Sequence, residues 1–136
     1  MNVGDLAYWE GRYAKEFGEM LSFELFDWYC PFDILYKEML KTMIDTSRAQ
    51  KILIVGVGRS NIIQCLYVNG FRDITAIDVS QTLIMQMQKQ YESYPGVDFT
   101  VMDARYLHKI ADETFSVIFD KGCVDALYSG TDYFEA

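Results

Sequence analysis

The chain has 136 residues, 51 % of them hydrophobic and 24 % charged, enough for one domain with its own core and too few for two. Its 20 acidic and 12 basic residues leave a net charge of −8; this disfavours nucleic acid as a partner, since phosphate backbones are bound by Lys/Arg-rich surfaces, and suits a basic protein or cationic substrate better. No membrane partner is expected, because the longest charge-free stretch, residues 60–71, is well short of the ~20 residues that span a bilayer, and a start of Met-Asn-Val-Gly-Asp lacks a signal peptide's basic and apolar regions.

A cytoplasmic protein is therefore the expectation. The first part of the chain, residues 1–48, reads as an aromatic-rich helical extension. Pro31 sits where a helix can start, and Phe32, Leu35, Met39, Leu40 and Met43 follow at helical spacing. The texture changes at Lys51. Lys51-Ile-Leu-Ile-Val55 is an apolar, β-branched run closed by Gly56, which predicts a strand buried on both faces. Ser60 is placed to cap a helix carrying Ile62, Ile63, Leu66 and Tyr67 and ending near Asn69-Gly70. Residues 74–77 predict a second strand. Ser80 then caps a helix with Leu83, Ile84, Met87 and Tyr91 on one side, stopped by Pro95-Gly96. Residues 97–101 and 115–119 predict the third and fourth strands, and a short helix follows at 124–128. Alternating strands and helices predict βαβ units: an α/β, Rossmann-like, doubly wound parallel sheet over residues 49–136, within one domain.

The strongest local signal is Val55-Gly56-Val-Gly58-Arg-Ser60-Asn61 between a strand and a capped helix. Gly56 and Gly58 allow a tight turn and close approach of a ligand, with helix N–H groups aimed at it. Asp78 ends the following strand, where a carboxylate in nucleotide-binding folds accepts hydrogen bonds from ribose hydroxyls. The alternative is that both glycines serve packing and Asp78 caps the helix at Ser80. A dinucleotide fingerprint wants a third glycine where Asn61 stands, so a nucleoside ligand without phosphate, such as S-adenosylmethionine, fits better than NAD or FAD. Asp103, after the third strand, can read an adenine edge beside the Ala104 backbone, or cap its own loop. Asp120-Lys121-Gly122 follows the fourth strand at the edge where the sheet order reverses; on composition alone Lys121 is equally a solvated surface lysine. The aromatics Trp9, Tyr13, Phe17, Phe23, Phe26 and Trp28 either cover a cationic ligand or pack the extension onto the sheet. Cys30, Cys65 and Cys123 form no C-x-x-C pair and His108 has no partner at ligand spacing, so neither a disulfide framework nor a metal site is expected.

The segments Ile52-Leu-Ile-Val-Gly-Val-Gly-Arg-Ser-Asn61, Ile77-Asp-Val-Ser80, Met102-Asp103 and residues 115–127 (FSVIFDKGCVDAL) resemble the successive motifs of class I S-adenosylmethionine-dependent methyltransferases. They are similar in particular to the branch that contains the lysine methyltransferases of translation elongation factor 1-alpha. That branch also shows an N-terminal Y-W-x-x-R-Y and an aromatic D/E-W-Y/F, matched here by Tyr8-Trp9-Glu-Gly-Arg12-Tyr13 and Phe26-Asp27-Trp28-Tyr29. The resemblance implies S-adenosylmethionine as cofactor and S-adenosylhomocysteine as product. It implies Gly56, with Gly58, near the methionine part, Asp78 and Val79 at the ribose, Asp103 and Ala104 at the adenine, and Lys121 at the pocket wall. Trp9, Tyr13 and Trp28 would close over the cofactor. Val57 replaces the usual Cys, and Arg59-Ser60-Asn61 the usual Asn-Ser-x.

The implied activity is methylation of a protein lysine; a small-molecule methyltransferase and a noncatalytic cofactor- or partner-binding module are the alternatives. Asp120 is the candidate to orient the amine, with a structural role as its alternative. The resembling enzymes continue with three more strands, so the C-terminal strands are expected to be missing. The fourth strand would then have a bare apolar edge that invites self-association.

Overall fold

The computed structural model describes residues 5–19, 24–40 and 47–129; Phe23 and Met43, and the side chains of Met39 and Leu40, lie outside what it describes. Four strands, β1 (Lys51–Val55), β2 (Asp73–Asp78), β3 (Val97–Val101) and β4 (Val117–Asp120), form one parallel sheet in the order β3-β2-β1-β4. β1 is central. Its Ile54 lies opposite Ala76 and Phe119, and its Val55 opposite Ile77 and Asp120.

The two faces of β1 explain its unbroken apolar sequence, since successive side chains of a strand point to opposite sides. Ile52 and Ile54 join Ile74, Ala76 and Phe99 under a layer of helices. That layer consists of α1 (Leu6–Glu19), the short α2 (Phe32–Leu35) that runs into a π-helical turn at Tyr36–Leu40, α3 (Ile62–Val68) and α4 (Gln81–Gln90). Leu53, Val55 and Ile77 face the other way, beneath Met102, Ala104, Leu107, Ile110 and Phe115 of the β3–β4 connection and Cys123 of α5 (Cys123–Tyr128). The extension belongs to the first core: Tyr13, Phe32 and Tyr36 are buried there, with Trp9 and Phe17 packed against it.

Two expectations need correction. The fourth strand begins at Val117, not Phe115. Phe115 is apolar because it plugs the second face, and only the Ser116 N–H, bonded to the Lys51 carbonyl at 3.0 Å, leads into the ladder. Ser60 is not the cap residue of α3; Asn61 holds that position. The Ser60 hydroxyl still accepts the Ile62 N–H at 3.1 Å, because the Asn61 side chain is used elsewhere. At α4 the expected cap is present, with Ser80 Oγ accepting the Leu83 N–H at 3.1 Å. Glu10 of α1 adds a second cap, accepting from both the N–H and the hydroxyl of Thr82. An acidic group suits a helix N-terminus, and this one ties the extension to the core.

The chain passes from β1 outward to β2 and β3, then returns to the other side of β1 for β4. A crevice opens at the carboxyl ends of strands where the order reverses in this way. Among the described residues β4 pairs only with β1, and its Ile118 is 61 % exposed.

Candidate functional site

The turn after β1 is built around two residues with positive φ, Gly56 (+60°) and Gly58 (+54°). Above Gly58, a side-chain carbon would come within 3.2 Å of the Tyr13 hydroxyl. At Gly56 it would come within 2.6 Å of Cys123 Cβ and 2.8 Å of its Sγ. The absent side chain at Gly56 therefore makes room for the start of α5. Burial pushes the Cys123 thiol up to about 12, with Asp120 adding to it.

Asp78 ends β2 and is 7 % exposed. One carboxylate oxygen accepts the Gly58 N–H and the other the Ser80 N–H, each at 3.1 Å. Asp78 thereby joins the glycine turn to the start of α4, as the packing alternative required. Burial raises its pKa, and these backbone hydrogen bonds only partly offset that. An ionised carboxylate has about four lone-pair sites, so two N–H bonds leave it able to accept more.

These residues line a cleft. All ten expected binding residues, Trp9, Tyr13, Trp28, Gly56, Gly58, Asp78, Val79, Asp103, Ala104 and Lys121, are on its wall. Asp120 is not. Its carboxylate accepts the Cys123 N–H at 2.9 Å and the Val124 N–H at 3.3 Å; Asp120 caps α5, which is the structural role. Lys121 is no solvated surface lysine, since its side chain is 14 % exposed and its ammonium lies 2.9 Å from Asp27 Oδ1. Asp103 receives the Arg105 N–H at 2.9 Å and the Arg105 guanidinium at 2.7 Å, so it closes its own loop while facing the cleft.

The aromatics divide. Trp9, Tyr13 and Phe17, one turn apart on α1, stack in a column, with ring centres 5.9 and 6.0 Å apart, and Tyr13 is buried in the core. Phe26 and Trp28 are 44 % and 45 % exposed and pack edge to face at the mouth. Packing accounts for the first group and leaves the second without a purely structural reason. Arg12 lies between them, its guanidinium 5.6 Å from the Trp9 ring centre and 4.9 Å from that of Trp28.

The sequence reading missed a set of charged residues around the cleft. Glu16 links Arg12 (2.6 Å) to Arg59 (3.1 Å). Asp27 accepts the Asn61 N–H at 3.0 Å, while the Asn61 side chain bridges the Phe32 N–H and Asp33, each at 2.9 Å. Asn61 thus replaces the third glycine of a dinucleotide turn and binds the extension down. The Arg12–Glu16 spacing of four was readable as a helix pair; contacts separated by about 30 residues or more carried no local signal. Among the described residues no three His, Cys, Asp or Glu side chains gather as a metal site.

The Asp103–Arg105 pair sets a pH dependence. Hydrogen bonds from Arg105 hold the Asp103 carboxyl below the usual range against the opposing effect of burial. A depressed folded-state pKa gives stability that is complete above the unfolded value, about 3.9, and is lost as pH falls through the lower folded value. Asp78, raised by burial, has the opposite sign: its contribution declines as pH rises through its folded value. Arg105→Ala is therefore expected to lower the melting temperature near neutrality, by an amount that holds down to about pH 4 and shrinks as pH falls further. A difference independent of pH would contradict the pairing.

Comparison with known proteins settles the family. A model described as a methyltransferase domain matches residues 52–132, more than half of the chain. The chain belongs to the methyltransferase-domain family. The methyltransferase domain is 36 % identical over 123 residues to the eEF1A lysine and N-terminal methyltransferase homolog of Drosophila melanogaster, covering 90 % of this chain and 17 % of that protein. It is 33 % identical over 125 residues to the eEF1A lysine and N-terminal methyltransferase of Mus musculus, covering 91 % and 17 %. With the EEF1A lysine methyltransferase 4 of Bos taurus it shares 29 % over 127 residues, covering 93 % and 46 %. The chain thus spans about a sixth of the length of the first two relatives and less than half of the third.

Proposed function

We propose that the cleft binds S-adenosylmethionine and that the domain serves methyl transfer to a protein lysine, with S-adenosylhomocysteine as product. The observation that carries this reading is Asp78, a buried carboxylate at the end of β2 with one oxygen on the glycine turn and the other on the start of α4. No cation is paired with it in the hydrogen bonds described, so acceptor capacity on the cleft wall is its remaining property. A pair of vicinal ribose hydroxyls would be held by it, and Asn61 in place of the third glycine disfavours a pyrophosphate against the same turn.

Asp78 and Val79 would take the ribose, Asp103 and the Ala104 backbone the adenine, and the turn at Gly56–Gly58 the methionine part. When bound, S-adenosylmethionine supplies a methyl group activated by a sulfonium. Trp28, at the mouth, would offer its ring to that cation, an attraction of about 0.5–2 kcal/mol, while Trp9 and Tyr13, stacked on each other in the α1 column, back the wall. Methyl transfer is a one-step displacement, so alignment is the protein's main contribution and no nucleophilic side chain is required. The acceptor amine must lose a proton, its unperturbed pKa being about 10.4, and a water-poor cleft lowers that value.

A protein lysine acceptor is supported by the names of the relatives, which are lysine methyltransferases of eEF1A, and by the net charge of −8, which favours a basic partner. The test is incubation with methyl-labelled cofactor and, separately, eEF1A, other basic proteins and small amines. Label on lysines of eEF1A is the expected result. Label only on a small amine would replace the acceptor, and no transfer by a chain that binds the cofactor would overturn the catalytic part.

A further inference from the structure

Residues 24–29 lie along the cleft as a strap, and two of its successive residues are fastened by one side chain, Lys121. The Phe26 N–H donates to the Arg59 carbonyl at 2.8 Å, and the Arg59 guanidinium returns a bond to the Glu24 carbonyl at 2.9 Å. Asp27 is turned inward, its side chain only 4 % exposed. One of its oxygens takes the Asn61 N–H at 3.0 Å and the other faces the Lys121 ammonium at 2.9 Å. The same ammonium donates to the Trp28 carbonyl at 2.7 Å. Tyr29 then reaches the Asp125 carboxylate on α5 at 2.5 Å.

The ammonium thus spends one of its three donors on the Trp28 carbonyl and pairs its charge with the neighbouring Asp27, on either side of one peptide. Desolvated charges of this kind persist only when paired and hydrogen-bonded. A lysine whose purpose was a direct charge contact with a ligand would not need its nearest carboxylate to be buried on the opposite wall. The Asp27–Lys121 pair spans the gap between the extension and the end of β4, and the residue it fixes is Trp28, at the mouth beside Arg12.

We infer that Lys121 is a positioning residue: its ammonium locks the strap over the cleft through Asp27 and the Trp28 carbonyl, and it affects ligand affinity only by that route. The inference rests on the proposed use of the cleft. It differs from placing Lys121 at the pocket wall as a contact to the ligand, and it makes Asp27 equally important.

The experiment is a double-mutant cycle on the chain with Asp27→Asn, Lys121→Met and both, measuring S-adenosylhomocysteine affinity by calorimetry and backbone hydrogen exchange of peptides covering residues 24–30. Each single change is expected to weaken binding about tenfold and to speed exchange in the strap, and the double variant to be no worse than the worse single. The double variant removes both charges together, so it remains folded where a single leaves a buried charge alone. If Lys121→Met weakens binding as much in the Asp27→Asn background as in the parent, or without speeding exchange, Lys121 meets the ligand directly and the inference is wrong. A parent chain that binds no adenosyl ligand overturns the proposed function instead. The exchange measurements would still decide whether Lys121 holds the strap.

Discussion

Asp78→Ala is expected to abolish detectable binding of S-adenosylhomocysteine while leaving a folded domain. Hydrogen bonds to a charged group contribute about 1.5–3 kcal/mol each, so losing the acceptor for two ribose hydroxyls corresponds to roughly a hundred- to ten-thousandfold in affinity. The fold loses the bonds from the Gly58 and Ser80 N–H groups, yet it also loses a buried carboxylate whose pKa is raised by desolvation, and the two effects oppose each other. The measurement is thermal melting with and without ligand. At a hundred times the dissociation constant the parent gains about 2.7 kcal/mol, seen as a clear shift; the variant should melt at the same temperature with or without ligand. A variant that keeps the shift would show that Asp78 only ties the turn to α4.

The second large effect is at Gly56. An alanine there adopts a positive φ, which costs an L-residue about 1–2 kcal/mol, and its Cβ meets Cys123 Cβ at 2.6 Å. Overpacking of this kind adds about 1–3 kcal/mol. Gly56→Ala is therefore expected to destabilise the domain by about 2–5 kcal/mol, since the first turn of α5 must move away from β1. Adding Cys123→Gly removes the obstructing atoms and should recover the overpacking part, leaving the backbone part. Urea unfolding of the parent, both singles and the double separates the two. If Cys123→Gly gave no recovery, the conformation of the turn, and not the approach of α5, would be the whole reason for a glycine.

These two residues also mark how far the sequence could be read. Strand β1, helix α4 with its Ser80 cap and strand β3 follow from local pattern, because each has an apolar period and a stop signal of its own. Asp78 was legible because its position depends only on a strand end and a spacing from the glycine turn. The meaning of Gly56 was not, because Cys123 lies 67 positions further on and only the folded sheet brings it over the turn. Phe115 looked like strand because an apolar residue next to a strand has the same composition whether it is in the ladder or plugs the face beneath. Asp120 was ambiguous for a related reason: a carboxylate after a strand can face a ligand or the next helix, and here the N–H groups of Cys123 and Val124 claim it. The strap's fastenings join residues 24–29 to residues 59, 61, 121 and 125, pairings that no local pattern encodes.

The most direct test of the central claim is a calorimetric titration of the chain with S-adenosylhomocysteine and, in parallel, with NAD. With Asn61 where a dinucleotide turn has its third glycine, and with Asp78 on the cleft wall, the proposed site predicts saturable one-to-one binding of the adenosyl ligand and none of NAD. Binding of NAD in preference, or of neither ligand, would contradict it.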